Sequence, residues 1–423
     1  MSLEQKVVVT GIGLVTPLGF SIREVWNRCL SGESGIRFLE RFDTSGHRCR
    51  VAATVPDFDI TSFLRIPKNQ KFMNSGVRCA VRAAKEAVAA GNLDLAGFDP
   101  ERIALHVASG CAGPEPAEFF PALALATDGD RPSYAKLGGR PSRLIDPYFP
   151  LRTLSNSGVG LLSAEIGAQG ASSNFVQTDT ASALAIGAAF DDLREMRCDL
   201  ALAVGYESLV TISNYLAYER EGLLSGLPPE EAHRPFDRAR DGIVLGEGAG
   251  AIVLERLEDA RRRNAPIWGE VVGLGAAVDI SDSLQPLDAH RVAGAALSQA
   301  VADGQVGFVI ANGIATREGD RTEAGLLSSL FDRGTPVTAF KGCTGYLGAA
   351  TATVELCLGL LSIQNGTIPP IAHCSNPDPE FSPDLVVHSA RLMDKRDSTA
   401  VLMNWSWGGQ CTVLAVRAVP DSA

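Results

Sequence analysis

The feature that most restricts what this chain can fold into is a set of short runs, apolar at almost every position, that recur between glycine-rich turns and alanine-rich stretches. Residues 7–9, 103–107, 200–204 and 249–254 are runs of this kind. A strand that is apolar on both faces has to be covered on both faces, which is the situation of a sheet sandwiched between helices. A sheet with one wet face would instead alternate apolar and polar residues. The alanine-rich stretches supply the covering layer: residues 78–90 place their apolar side chains at helical spacing. The chain is therefore expected to be an α/β protein.

A second series opens at residues 271–275 and repeats the order of the first. It runs strand, helix over 292–302, strands over 307–311 and 336–340, helix, and terminal strands. Two similar halves are expected, 1–260 and 261–423. The closest parallel is between Phe175 to Asp179, leading into an alanine-rich helix, and Val337 to Lys341, leading through Gly345 and Tyr346 into another. At each point a strand ends and a helix begins, where free backbone N–H groups and the helix dipole stabilise negative charge. Halves packed face to face would bring these two helix starts to one site. Residues 125–149, rich in Gly, Pro and Arg, read as an irregular loop outside the core.

Charge and composition exclude several function classes. The formal net charge is -11, and the longest basic run is Arg261, Arg262, Arg263, so no nucleic-acid or anionic-membrane surface is expected. No apolar run approaches the roughly 20 residues of a membrane span. The nine cysteines include no CxxC pair, and the N-terminus does not resemble a signal peptide, so a reducing cytosol is the expected compartment. The six histidines show neither HxxxH nor HExxH spacing, so neither a metal nor another cofactor is implied.

The stretch Arg234, Pro235, Phe236, Asp237, followed by Arg240, Asp241, Gly242 and Gly246, Glu247, Gly248, Ala249, Gly250, strongly resembles the β-ketoacyl-acyl carrier protein synthases. The likeness continues through Thr10 to Gly13, Asn156 with Gly160, Gly319 and Asp320 with Glu323, Lys341 with Thr344 and Gly345, Asn376 and Pro377, and Gly408 with Gly409. It covers essentially the whole chain. It implies a thiolase-like fold, two similar βαβαβαββ halves in α-β-α-β-α layers, and a dimer. An active member carries a Cys nucleophile at the first helix start, two His from the second half, and a nearby Lys. Those roles need a good nucleophile and donors aimed at a developing enolate.

Counted without gaps from Asn156, the Cys position holds Asp179. Asn312 and Tyr346 stand at the two His positions, and Lys341 alone is unchanged. No catalytic residue is therefore expected. Asp179, ahead of Thr180, Ala181 and Ser182, reads as an N-cap of about 1 kcal/mol. Asn312 retains a donor, Tyr346 reads as a plug in the substrate channel, Lys341 as the partner of Glu355, and Cys343 as a buried filler. By resemblance, Cys111, Phe119 and Phe120 lie along the dimer interface beside the acyl tunnel. Trp405, Trp407, Gly408 and Gly409 fall on the gate loop.

The resulting expectation is a non-catalytic, chain-length-factor-like subunit. It would pair with a catalytic ketosynthase as a heterodimer and shape the cavity in which a polyketide or polyene chain grows on an acyl carrier protein. The alternatives are a stand-alone acyltransferase or hydrolase using Asp179 and Asn312, and an inert structural paralogue.

Overall fold

The computed structural model describes residues 5–110, 116–279, 289–301, 306–393 and 399–419. Eleven strands form one sheet: β1 (Val7–Val15), β2 (Ile103–Ser109), β3 (Ser172–Val176), β4 (Leu200–Ser208), β5 (Glu247–Arg256), β6 (Gly269–Val278), β7 (Val306–Ile310), β8 (Pro336–Thr338), β9 (Asp384–Leu385), β10 (Thr399–Trp405) and β11 (Gln410–Arg417). The order in the first half is β1-β5-β4-β2-β3, and in the second half β6-β11-β10-β7-β8, with β9 beyond β8. The two series match strand for strand. Each has two antiparallel pairings followed by two parallel ones, and the halves join where β1 pairs with β6.

Five layers result. On the outer faces lie α1 (Ser75–Ala90), against β1, β4 and β5, and α5 (Ala289–Ala300), against β6 and β11. Between the halves lie α3 (Ala181–Arg194) and α8 (Thr351–Asn365), each touching strands of both. This is the thiolase-like α/β fold. Strands β1, β2 and β4 are buried almost throughout, as their apolar runs require. The middle helix α8 is apolar nearly all round and buried from Thr351 to Ile363, and Gly366, with φ 60°, ends it in the left-handed conformation.

The seat of α8 is set by two bare positions on the sheet. A Cβ on Gly205 of β4 would lie 2.5 Å from Thr353 Oγ1 and 2.7 Å from Ser182 Cβ. One on Gly250 of β5 would lie 2.8 Å from the Thr353 carbonyl carbon. Helix and sheet meet there backbone to backbone.

The segment read as an irregular loop at 125–149 is more ordered than its glycines and prolines suggest. It leaves α2 (Pro116–Leu125) and contains a two-strand ribbon, a turn of helix at Tyr134–Leu137 and a 3-10 turn at Arg140–Leu144. It does lie outside the core, with Leu125, Tyr134 and Leu144 all more than half exposed. Short local hydrogen bonds replace long-range packing there. Among the described residues no helix is long and apolar enough to cross a membrane. Nor does any group of three or more His, Cys, Asp or Glu side chains stand where it could hold a metal ion.

Candidate active site

The two helix starts meet between the halves. Asp179 follows β3 and precedes α3, while Lys341 opens the short α7 (Lys341–Thr344) that follows β8 and Tyr346 lies just beyond its end. Asn312 follows β7, a strand parallel to β8. Asp179, Asn312, Lys341 and Tyr346 are all buried.

Asp179 does not cap α3, contrary to the local pattern. The helix starts at Ala181 with Thr180 as its cap residue, in helical φ/ψ and without a side-chain cap bond. The Asp179 carboxylate is instead taken by a tertiary partner: Tyr346 Oη donates to its Oδ2 at 2.8 Å. Its Oδ1 is buried and meets no donor in hydrogen-bond geometry. Burial lifts its pKa to about 6, with Lys341 and Tyr346 holding it down and Glu355 pushing it up. A carboxyl poised near 6 can carry a proton at neutral pH, which a solvated aspartate cannot.

Tyr346 is fully buried and anchored by its backbone, its N–H on Val244 O at 2.8 Å and its carbonyl accepting from Gly246 N at 2.9 Å. The long glycine-rich motif thus places this ring. Gly345, with φ 72°, allows the reversal that brings it there. Burial and the Asp179 charge push the phenol well above its ordinary range, so it stays protonated and donates. Two more groups converge on it. Tyr218, on α4 (Ile212–Arg220), packs its ring 6.1 Å from that of Tyr346, with its hydroxyl close to the Tyr346 hydroxyl but outside hydrogen-bond geometry. The Trp407 indole N–H lies near the same phenol, buried and without a hydrogen-bond partner.

Lys341 makes the expected pair with Glu355, at 3.0 Å, and does more. Its Nζ also donates to Asn312 O at 2.6 Å and to Asn312 Oδ1 at 2.8 Å. Those three bonds use every ammonium hydrogen, so Lys341 holds its neighbours and has no donor left for a ligand. Because Oδ1 faces Lys341, the Asn312 amide nitrogen is the end left for the cleft. The Asn312 loop is pinned from below by Glu323 of α6 (Arg317–Leu330), whose oxygens accept from Asn312 N and Gly313 N at 2.7 and 2.8 Å. Asn404 Nδ2 completes the set on Glu355 Oε2 at 2.9 Å. Cys343 is fully buried beside Cys29, away from the cleft.

A cleft of about 910 Å³ opens above this cluster, lined by Tyr218, Asn312, Ile314, Thr316, Trp405 and Trp407 among others. Asp179 lies beneath it, covered by Tyr346. Trp405 and Trp407 narrow the cleft without closing it. Gly408 and Gly409 continue the same turn, where Gly409 N donates to Ser406 O at 3.0 Å. Phe119 and Phe120 lie elsewhere, on α2. Phe119 stacks on Phe149 at 5.8 Å, and Phe120 is 60% exposed. Cys111 lies outside the described residues.

The sequence reading missed Tyr218 and Glu207. Glu207, at the end of β4, is buried and raised to about 7 by burial and by the Asp179 charge. Only the run of apolar residues ahead of Glu207 marked it, and nothing in the spacing of α4 marked Tyr218.

Residues 4–260 match the model of the β-ketoacyl synthase N-terminal domain and residues 270–375 that of its C-terminal domain. A 3-oxoacyl-acyl-carrier-protein synthase 2 of Staphylococcus aureus is 29% identical over 426 residues, covering 99% of each chain. One of a Synechocystis species is 30% identical over 427 residues, covering 98% of this chain and 99% of its own. Among solved structures, the ishigamide ketosynthase/chain length factor superposes with a TM-score of 0.86 at 25% identity, over 99% of this chain and 100% of that one. A β-ketoacyl synthase from Burkholderia phymatum does so with a TM-score of 0.86 at 24% identity, over 98% and 100%. These relatives correct the functional expectation. Full-length sequence relatives are named as catalytic synthases, which overturns the reading of a non-catalytic chain-length-factor-like subunit.

Proposed function

We propose that this chain, which belongs to the β-ketoacyl synthase family, is a catalytic synthase of 3-oxoacyl thioesters that leaves the acyl chain on its acyl carrier protein. The observation that carries this reading is the buried Asp179–Tyr346 pair at 2.8 Å beneath a cleft whose floor carries the Asn312 amide. Asn312, oriented by Lys341, presents its N–H to the thioester carbonyl of a malonyl group. The negative charge that develops on that oxygen as carbon dioxide leaves is stabilised by a fixed donor. The enolate carbon then attacks the carbonyl of an acyl thioester, a carbon–carbon bond forms, and the carbon–sulfur bond breaks. The leaving thiolate takes up one proton, which matches the proton consumed overall. Asp179, with a pKa of about 6, is the store for that proton. Asp179 forms no acyl adduct in this scheme, since an ionised carboxylate is a poor nucleophile towards thioesters.

The partner this reading requires is an acyl carrier protein. We also propose that Phe120, Leu125 and Leu144, each more than half exposed, face a second ketosynthase-family subunit, in line with the dimer that the sequence leads one to expect.

The test supplies purified protein with radiolabelled malonyl and acyl thioesters of an acyl carrier protein. Carbon dioxide and 3-oxoacyl thioester should appear in equal amounts. Asn312→Ala should lower both by about 10² to 10³, the size of losing one oxyanion donor. Carbon dioxide without the 3-oxoacyl product, or neither above a heat-denatured control, overturns the proposal.

A further inference from the structure

The proton store and the cleft are separated. Asp179 is 1% exposed and Tyr346 is completely buried, so neither meets cleft water directly. Two cleft-lining side chains lie beside Tyr346, Trp407 and Tyr218, and neither is hydrogen-bonded to it at rest. An indole N–H only donates and has no lone pair on which to receive a proton. A phenol hydroxyl gives one proton while it accepts another. Tyr218 is half-buried, with one side on the cleft, its ring 6.1 Å from that of Tyr346 and its hydroxyl close to the Tyr346 hydroxyl, so that closing this gap makes the hydrogen bond a transfer needs.

We infer that Tyr218 is the relay residue that couples the buried Asp179–Tyr346 pair to the cleft, passing the Asp179 proton out to the reacting group and a solvent proton back. The inference rests on the proton-store role proposed for Asp179. On the outward transfer, the leaving thiolate takes the hydroxyl proton of Tyr218. Tyr218 takes that of Tyr346, and Tyr346 takes that of the Asp179 carboxyl, which is left ionised. On the return, a hydronium ion in the cleft gives its proton to Tyr218 and leaves water, while the hydrogen then on Tyr218 passes to Tyr346 and the one on Tyr346 passes to Asp179. No oxidant or other reactant is needed, and each phenol ends as it began. The charges that face Asp179 are Lys341, which favours the carboxylate, and Glu355 and Glu207, which oppose it.

The relay has a readout independent of catalysis. In heavy water below the Asp179 pKa, the protonated carboxyl exchanges hydrogen for deuterium, and its infrared carbonyl band shifts. The band is assigned by its loss in Asp179→Asn. Tyr218→Phe keeps the ring and removes the hydroxyl, and it should slow that exchange at least tenfold. Trp407→Phe should leave the rate unchanged. In the synthase assay, Tyr218→Phe should lower kcat by about 10² while KM for the acyl thioester stays put, in the range expected for a lost proton-transfer group. Equal exchange rates in the parent and in Tyr218→Phe overturn the relay, as does slowing by Trp407→Phe instead. A parent protein that shows the Tyr218-dependent exchange but makes no 3-oxoacyl product sinks the synthase reading and leaves the relay standing.

Discussion

Replacing Asp179 by Asn should stabilise the protein at neutral and alkaline pH while leaving it little changed in acid. The wild-type carboxyl titrates at about 6 when folded, against an ordinary value of 3.8. That gap of about 2 pH units, at about 1.36 kcal/mol each, is worth about 3 kcal/mol. The sign follows from proton binding. Below the unfolded value both states hold the proton and nothing is lost. Between 3.8 and about 6 the unfolded chain has released its proton and the folded chain has not, so stability falls as pH rises. Above 6 the whole cost is present. The amide that Asp179→Asn introduces does not titrate, and its oxygen still accepts from Tyr346. Loss of the negative charge also lets Glu207 ionise more easily, which adds in the same direction. Urea denaturation of both proteins at pH 4 and pH 8 isolates the effect. The stability difference between variant and wild type should grow by about 2 to 3 kcal/mol from the lower to the higher pH, and growth of less than about 1 kcal/mol would refute the claim that Asp179 is a desolvated acid. A constant offset between the two does not matter, because an unpaired amide nitrogen affects both pH values equally.

Lys341→Met should destabilise the fold by about 3 to 5 kcal/mol, because it strands the buried Glu355 carboxylate without its counter-ion; thermal unfolding followed by circular dichroism measures it. The double change Lys341→Met with Glu355→Leu should recover most of that loss, since no buried charge is then left unpaired. Phe120→Ala should cost the isolated subunit less than about 1 kcal/mol because its ring is mostly in solvent. If α2 borders an acyl tunnel across a subunit interface, Phe119→Ala or Phe120→Ala should also lengthen the product by one or more two-carbon units, read by mass spectrometry of the carrier-bound chain.

The sheet was legible before any coordinates because runs such as residues 200–204 and 249–254 have one stable solution, burial on both faces. The meeting of Asp179 with Lys341 and Tyr346 was legible for a related reason. They follow strands at matching places in a repeated pattern, and the repeat puts those strand ends together, whereas only the resemblance pointed to Asn312. The chemistry at Asp179 was not legible. The run Asp, Thr, Ala, Ser argues for a local cap, and a local signal cannot report that a phenol 167 positions later competes for the same oxygen. Tyr218 escaped notice because α4 carries it on a helix with only Tyr215 fully buried, where the pattern of polar residues singles nothing out. The step from replaced site residues to an inactive subunit failed for a different reason. It took the loss of one set of reacting groups for the loss of reactivity, whereas full-length relatives are named as synthases.

The contact of Gly205 and Gly250 with α8 bears on how this molecule would respond to redesign. The height at which α8 rides over the sheet decides where Glu355 stands, and Glu355 in turn decides the reach of Lys341 and the tilt of the Asn312 amide. That height is fixed by two absent methyl groups, neither of which belongs to the reacting set. Positions 179, 312 and 346 therefore behave as sockets on a bench whose dimensions are machined elsewhere. Cys at 179 with His at 312 and 346 could be fitted as a group while the bench stays true. A single methyl at Gly205 would tilt the bench and misalign every tool on it at once.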